Sequence, residues 1–527
     1  MTGTPAVASS RPCAAARPRS CARAPERSFV DVSARNVVQS GIRERSPMRI
    51  GVAYGYVSSN LGDLAINRGT INLLRSVFPG QQYHFVFLNL TETALPAALG
   101  SIGDLDGVTY AAALPSAPAS RGAQSKLARY LSAPPRFLAD ARLDDCDLVI
   151  YNAGEHLFSY QDSFRADLLW RLLPGMAALA KGIPFATCAA TIGPFQEASS
   201  RALVQRYFAL NDAVSVRDAG SVQEMARLGP QHTVPLLLDP AFFVRDQGLR
   251  EGPPVVPRLG LVMRLEDFGL RVGPEQSATN LREHRQDGFA RSRSLQTALL
   301  AIRTFLDRHP RGEVRVFSQV ASDLELAQAI HAAAVAEGLG ERVTLCQPTD
   351  IDDYLRLLSD LSLVVASRFH ACILASAIGV PTFGTYFSSH GHKMPGLFEA
   401  FGRPQDCVEV THPDTDRGFV AALGEFFPRA EEAGRLTTAW MLAQKQQMQQ
   451  WLQRVASGPR RPVDRTQWSE LRRQCLTHFE KSLPAGGGIR SACFRTAVRL
   501  KLRLSQMPGE SLRQFMRQRL RAWLKAS

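Results

Sequence analysis

With 527 residues, 45% of them apolar and 21% charged, the chain is longer than one hydrophobic core organises, and two domains with tails are expected. A net charge of +14 would suit nucleic acid, an anionic membrane or a small anionic substrate. Much of the excess sits at the ends (Arg11, Arg17, Arg19, Arg23 and Arg27; Arg513, Arg517, Arg519, Arg521 and Lys525) without interleaved aromatics or a binding signature, so no nucleic-acid partner is expected. Nine scattered cysteines, with no C-x-x-C pair and no histidine at zinc spacing, argue against a disulfide framework and a metal site and fit free thiols in a reducing, cytoplasmic compartment.

Residues 1–47 are rich in Ala, Ser, Pro and Arg and lack both apolar periodicity and the apolar stretch of a secretory signal, so a disordered leader is expected. From Met48 short apolar runs alternate with helix-length amphipathic segments: RIGVAYGY at 49–56, YHFVFLNL at 83–90, DLVIYNAG at 147–154, PFATCAATIG at 184–193 and AVSVRD at 213–218. Such alternation marks βαβ units around a parallel sheet, and predicts a first Rossmann-like domain over 48–245. A stretch rich in Gly and Pro at 246–258 suits a linker. The same grammar then restarts, with strands from Leu259, Glu313, Arg342, Leu361 and Pro381, and predicts a second Rossmann-like domain over 259–405. The fold class is therefore α/β, with two doubly wound domains facing each other across a cleft.

Residues 406–527 change character to a helical, basic C-terminal extension. Its last part, RTAVRLKLRLSQMPGESLRQFMRQRLRAWLKAS, reads either as a solvated or core-packing helix pair or as helices lying on an anionic bilayer. No stretch of about 18 apolar residues occurs, so no transmembrane helix is expected.

In doubly wound sheets ligands sit outside the carboxyl ends of the strands. The first such end is YVSSNLGDLAINRGTINLL at 56–74, where Asn60 or Asp63 could cap a helix. No dinucleotide or P-loop glycine pattern is present, but the helix start beside Gly62 can hold an anion or a sugar hydroxyl on free backbone N–H groups. The second is AVSVRDAGSVQEMARLG, in which Arg217 ends an apolar strand and needs an anionic partner if buried. Asp218 is either that partner or the cap of the next helix, which would leave the guanidinium for a ligand. The third is LSLVVASRFHACILASAIGVPTFGTYF, which places Arg368 and His370 at the mouth of a central buried strand. Two residues apart, they are expected on one strand face, a cation beside a proton carrier.

Together, NLGDLAI (60–66), IGPFQ (192–196), SVRDAGS (215–221), LDPAF (238–242) and SRFHACILASAIGVPTFG (367–384) make the chain resemble the polysaccharide pyruvyl transferase family from about residue 49 to 405. The resemblance implies two facing Rossmann-like domains similar to the B-type glycosyltransferases, phosphoenolpyruvate as donor in the cleft, and no cofactor or metal. It implies that Arg217 and Arg368 hold the donor's anionic groups and that His370 donates or relays a proton. Asn60 and Gly62 are the further substrate-binding candidates, and Asp63 the candidate for positioning the acceptor hydroxyl. The implied acceptor is a saccharide or lipid-linked oligosaccharide of exopolysaccharide or cell-surface glycan synthesis, met in the cytoplasm or at the inner face of the membrane, where the basic C-terminal helices would make peripheral contact. Two loops depart from the family pattern: NAGEHLF, with Glu155 and His156, and YFSSHGHKMPGLF, with extra Ser and His residues. The competing readings are a sugar-nucleotide-dependent glycosyltransferase and a non-catalytic, glycan-binding or scaffolding relative.

Overall fold

The computed structural model describes residues 48–55, 60–79, 83–88, 108–111, 120–159, 165–211, 213–229, 234–245, 252–268, 274–458 and 464–483, with single positions 250, 272 and 496. The expected leader at 1–47 and nearly all of the basic segment at 495–527, with its bilayer reading, lie outside the described residues.

Seven parallel strands form the first sheet: β1 (Met48–Ala53), β2 (Tyr83–Leu88), β3 (Val108–Ala111), β4 (Leu148–Tyr151), β5 (Glu155–Ser159), β6 (Phe185–Phe195) and β7 (Val214–Val216). Their order is β3-β2-β1-β4-β6, with β7 on the far side of β6 and β5 continuing the line of β4 along the upper half of β6. The second sheet contains β8 (Arg258–Val262), β9 (Glu313–Phe317), β10 (Val343–Cys346), β11 (Leu363–Ala366), β12 (Thr382–Tyr386) and β13 (Cys407–Glu409), in the order β10-β9-β8-β11-β12-β13. Both are doubly wound, with the order reversing between β1 and β4 and between β8 and β11. Helices cover both faces, which is why β4 and β11 are buried throughout and read as unbroken apolar runs. The two-lobed α/β architecture expected from the sequence is present.

The lobes also share a core. The helix Leu61–Val77 buries Leu64, Ala65 and Leu74 in one cluster with Phe242 of the first lobe and Ile373 and Leu374 of the second. Gly69 allows this packing, because a Cβ there would lie 1.8 Å from the Pro240 carbonyl oxygen. The helix therefore lies directly against the turn that carries Asp239.

The second sheet runs past the expected boundary at residue 405, since β13 pairs with β12 through Gly384 and Cys407. The following helix, Asp416–Phe426, sends Phe419 and Phe426 against Phe383 in the same core. The helix Ala430–Ser457 then crosses between lobes. Ala430 and Ala433 pack with the second, while Gln449 donates to Ser76 Oγ (2.8 Å) on the first. The helix Arg465–Ser482 buries Leu471, Cys475, Leu476 and Phe479 in the first lobe, and Arg472 donates to the Leu131 and Ser132 carbonyls. The helices Asp416–Phe426, Ala430–Ser457 and Arg465–Ser482 are thus built into the two lobes.

Candidate active site

The connection leaving β1 begins the first cluster. Tyr54 has a φ of 62°, an uncommon conformation for a residue with a Cβ. Asn60 is extended and its Oδ1 accepts from the Gly62 amide at 3.0 Å, so of the two residues offered as caps Asn60 is the one used. Asp63 lies half-buried in the first turn, where a carboxylate suits the helix dipole.

Arg217 follows β7 and is almost fully buried. Its Nε donates to Thr191 Oγ1 (2.9 Å), its Nη1 to Asp239 Oδ2 (2.5 Å), and its Cζ lies 4.8 Å from the Phe369 ring centroid. Asp218 is the helix cap: it accepts from the Ser221 amide (2.8 Å), the Ser221 hydroxyl (2.9 Å) and Thr191 Oγ1 (2.9 Å). The counter-ion of Arg217 is Asp239, whose other oxygen accepts from the Ala241 amide at 2.8 Å. Burial pushes the Asp239 carboxyl up, but Arg217 and His370 outweigh it and bring it down to about 2. Burial likewise raises Asp218, and His392, the Ser221 amide and Arg217 together hold it below the usual carboxylate range.

Arg368 and His370 do not share a strand face as expected. β11 stops at Ala366, Arg368 is the extended residue before a helix, and His370 is the second residue of that helix, Phe369–Ala377. The continuous apolar run hides the change from strand to helix, because both elements are buried and neither shows a period. The two side chains consequently diverge. Arg368 turns into the second lobe and grips Asp323 bidentately, with Nε to Oδ2 at 2.8 Å and Nη2 to Oδ1. His370 turns toward the first lobe, with Nε2 3.5 Å from Asp239 Oδ2. It lies so close to Gly62 that a Cβ there would be 2.5 Å from its Nδ1. Asp239 thus stands between Arg217 and His370.

Several charged residues here were not singled out in the sequence. Lys393, at the start of the helix Lys393–Ala400, pairs with Glu155 of β5 across the lobes, Nζ to Oε2 at 2.9 Å. The two loops that depart from the family pattern therefore touch each other; the side chain of His156 lies outside the described residues. Burial lowers the Lys393 ammonium, Glu155 opposes this, and Arg264 and Arg217 lower it further. His390 is pushed down to about 2 by burial and then by Arg264, Lys393 and Arg368, so it is neutral and cannot add charge. His392 places Nε2 3.3 Å from Asp218 Oδ1. Arg217, Arg264, Arg368 and Lys393 thus act on a common region at the carboxyl ends of both sheets. Three of these cations are paired, to Asp239, Asp323 and Glu155, so a small anion would meet hydrogen-bond donors rather than a large net positive charge, and an imidazole on a carboxylate beside them can carry a proton. The only hint in the sequence was Asp239 in LDPAF and the histidine-rich loop. No cluster of His, Cys, Asp and Glu that could hold a metal ion occurs among the described residues.

The family model described as Polysaccharide pyruvyl transferase matches residues 60–389. No curated protein matches the chain. Among solved structures, the chain is similar to UDP-GlcNAc 2-epimerase from Neisseria meningitidis bound to UDP-GlcNAc, at 10% identity over 77% of this chain and 99% of that one, with a TM-score of 0.46. It is also similar to a putative UDP-N-acetylglucosamine 2-epimerase from Listeria monocytogenes (12% identity, 75% of this chain, 91% of that one, TM-score 0.43). The E. coli ADP-heptose lps heptosyltransferase II is a third (17% identity, 73% and 100%, TM-score 0.35). At these values the fold assignment rests on the strand orders themselves.

Proposed function

The chain belongs to the polysaccharide pyruvyl transferase family, and from that premise we propose that it moves the enolpyruvyl unit of phosphoenolpyruvate onto a pair of saccharide hydroxyls, forming a pyruvate ketal and releasing phosphate. The observation that carries this reading is Asp239 flanked by Arg217 and His370, with His370 seated on Gly62 where Arg264, Arg368 and Lys393 of the second lobe also gather. The donor carries roughly two to three negative charges, if its phosphate titrates as other phosphomonoesters do. Arg217, Arg368, Arg264 and Lys393 supply the matching hydrogen-bond donors, and guanidinium groups suit both carboxylate and phosphate.

Asp239 stays ionised at neutral pH and, with one oxygen 3.5 Å from His370 Nε2, orients the imidazole. His370 gives its proton to the donor's methylene carbon, and the neighbouring carbon becomes electrophilic. A sugar hydroxyl adds there, phosphate leaves, and a second hydroxyl closes the ketal. Asn60 and Gly62 at the helix start, and Asp63 in its first turn, are the acceptor-side residues of the proposal. The acceptor is a free or lipid-linked saccharide. Among the described residues no helix is long and apolar enough to cross a membrane; in this reading the basic C-terminal segment brings the protein to the inner face of the membrane.

The test incubates purified protein with phosphoenolpyruvate and a panel of methyl hexopyranosides and oligosaccharides, following phosphate release and, by mass spectrometry, carboxyethylidene addition. His370→Ala is expected to abolish ketal formation with the fold intact, and Arg368→Lys to weaken donor binding. Nucleoside diphosphate release from nucleotide sugars, with no phosphate from phosphoenolpyruvate, would overturn the reading in favour of glycosyl transfer.

A further inference from the structure

His370 is not alone in its arrangement. His392, on the loop after β12, repeats it feature by feature. Each imidazole comes from the second lobe and reaches into the first. Each sets Nε2 against a buried carboxylate of the first lobe, His370 on Asp239 at 3.5 Å and His392 on Asp218 at 3.3 Å. Each ring lies on a glycine that is the second residue of a helix: Gly62 of Leu61–Val77 and Gly220 of Ala219–Leu228. A Cβ on Gly220 would lie 2.0 Å from His392 Cδ2, so the ring occupies the space a side chain would fill. The two carboxylates are joined through Arg217 and Thr191, because Thr191 Oγ1 donates to Asp218 and accepts from Arg217 Nε, whose Nη1 donates to Asp239. The His392 side chain is 29% exposed against 12% for His370, so it is the more open of the two to a bulky ligand.

We propose that His392, held on Asp218, is a second proton carrier of the same reaction, serving the second acceptor hydroxyl. This rests on the donor reading above. Ketal formation removes a proton from each of two hydroxyls whose oxygens end on one carbon, and those protons depart in different directions. An imidazole wedged between Gly62 and Asp239 is held to one of them. In the first stage the His370 imidazolium protonates the methylene carbon, the first hydroxyl oxygen bonds to the adjacent carbon, and its proton returns to His370. In the second stage the bond from that carbon to the phosphate oxygen breaks, and phosphate keeps the electron pair. The second hydroxyl oxygen takes its place, and its proton passes by way of His392 to the departing phosphate. Both imidazoles end as they began.

The experiment uses the full chain in deuterated water with phosphoenolpyruvate and the acceptor panel, reading deuterium in the recovered donor by NMR beside phosphate release. If the first stage is served by His370 and the second by His392, His392→Gln retains donor exchange within about threefold while phosphate release and ketal formation fall about 100-fold. His370→Gln loses both. Added imidazole restores part of the release in His392→Ala. His392→Asn repeats the measurement if glutamine does not fit, with thermal unfolding confirming the fold. Native phosphate release in His392→Gln, or joint loss of exchange and release in folded His392 variants, overturns the second-carrier role alone. Unsubstituted protein that neither exchanges nor releases phosphate with any acceptor of the panel overturns the donor reading and this inference with it.

Discussion

Gly62→Ala tests the geometry of the site with one methyl group. The backbone at Gly62 is not left-handed, so alanine adopts it freely and only space is at issue. The new Cβ would lie 2.5 Å from His370 Nδ1, 2.7 Å from Cγ and 2.9 Å from Cβ. Comfortable contact is about 3.5 Å, so the ring or the helix beneath it must retreat by about 1 Å. Rotating the side chain does not relieve this, because the His370 Cβ is itself too close. Overpacking of this kind costs about 1–3 kcal/mol, offset by up to about 1 kcal/mol of helix propensity. With the offset in full, stability is therefore expected to fall by about 0–2 kcal/mol. A 1 Å displacement of a reacting group costs about 100-fold in rate, so transfer is expected to fall by that factor. Gly122 supplies the control. It is also the second residue of a helix, Arg121–Ser132, yet nothing lies within 4 Å of its would-be Cβ. The assay compares phosphate release and thermal unfolding of Gly62→Ala, Gly122→Ala and the unsubstituted chain. Native turnover in Gly62→Ala, or an equal loss in Gly122→Ala, would refute the claim that this contact positions His370.

Because the folded-state pKa of Asp239 is depressed from 3.8 to about 2, the stability it contributes is present above pH 4 and is lost as pH falls toward 2. That amounts to on the order of 2 kcal/mol, so the acid-side loss of stability between pH 4 and 2 is expected to be shallower by this amount in Asp239→Asn, measured by chemical denaturation. At neutral pH the same variant leaves Arg217 buried without its counter-ion and is expected to be about 3–5 kcal/mol less stable. For the interlobe pair, a double-mutant cycle of Glu155→Gln and Lys393→Met, read by urea unfolding, is expected to show a coupling of about 0.5–3 kcal/mol; additivity within error would show that the contact holds nothing. Leu471→Ala, at a fully buried position in the first lobe, is expected to cost about 2–5 kcal/mol by the same method, which a loosely attached C-terminal helix would not show.

Much of the architecture was legible because its signals are local. Buried parallel strands read as apolar runs wherever they occur, and the expected strands from Met48 to Pro381 all formed. β3 and β13 are short edge strands and β5 is a fragment continuing the line of β4, so none carries enough pattern to stand out. The strand reading of Arg368 and His370 failed for a related reason: nothing in an aperiodic apolar run marks where a strand gives way to a buried helix. Of the two roles open to Asp218 the helix cap is the one it takes, yet the Arg217 guanidinium is not left free, because Asp239 arrives from another turn that no neighbouring residue announces.

The sequence by itself determined the doubly wound α/β class, the strand ends at which the candidate site gathers, and Arg217, Arg368 and His370 as its candidate residues, because these depend on side-chain type and near neighbours. Only the tertiary structure decided which carboxylate each cation meets, that Gly62 and Gly220 seat imidazoles from the opposite lobe, and that Glu155 finds Lys393. Those pairings join residues as far apart in sequence as Gly62 and His370, and they depend on how the two sheets dock, which no local pattern encodes.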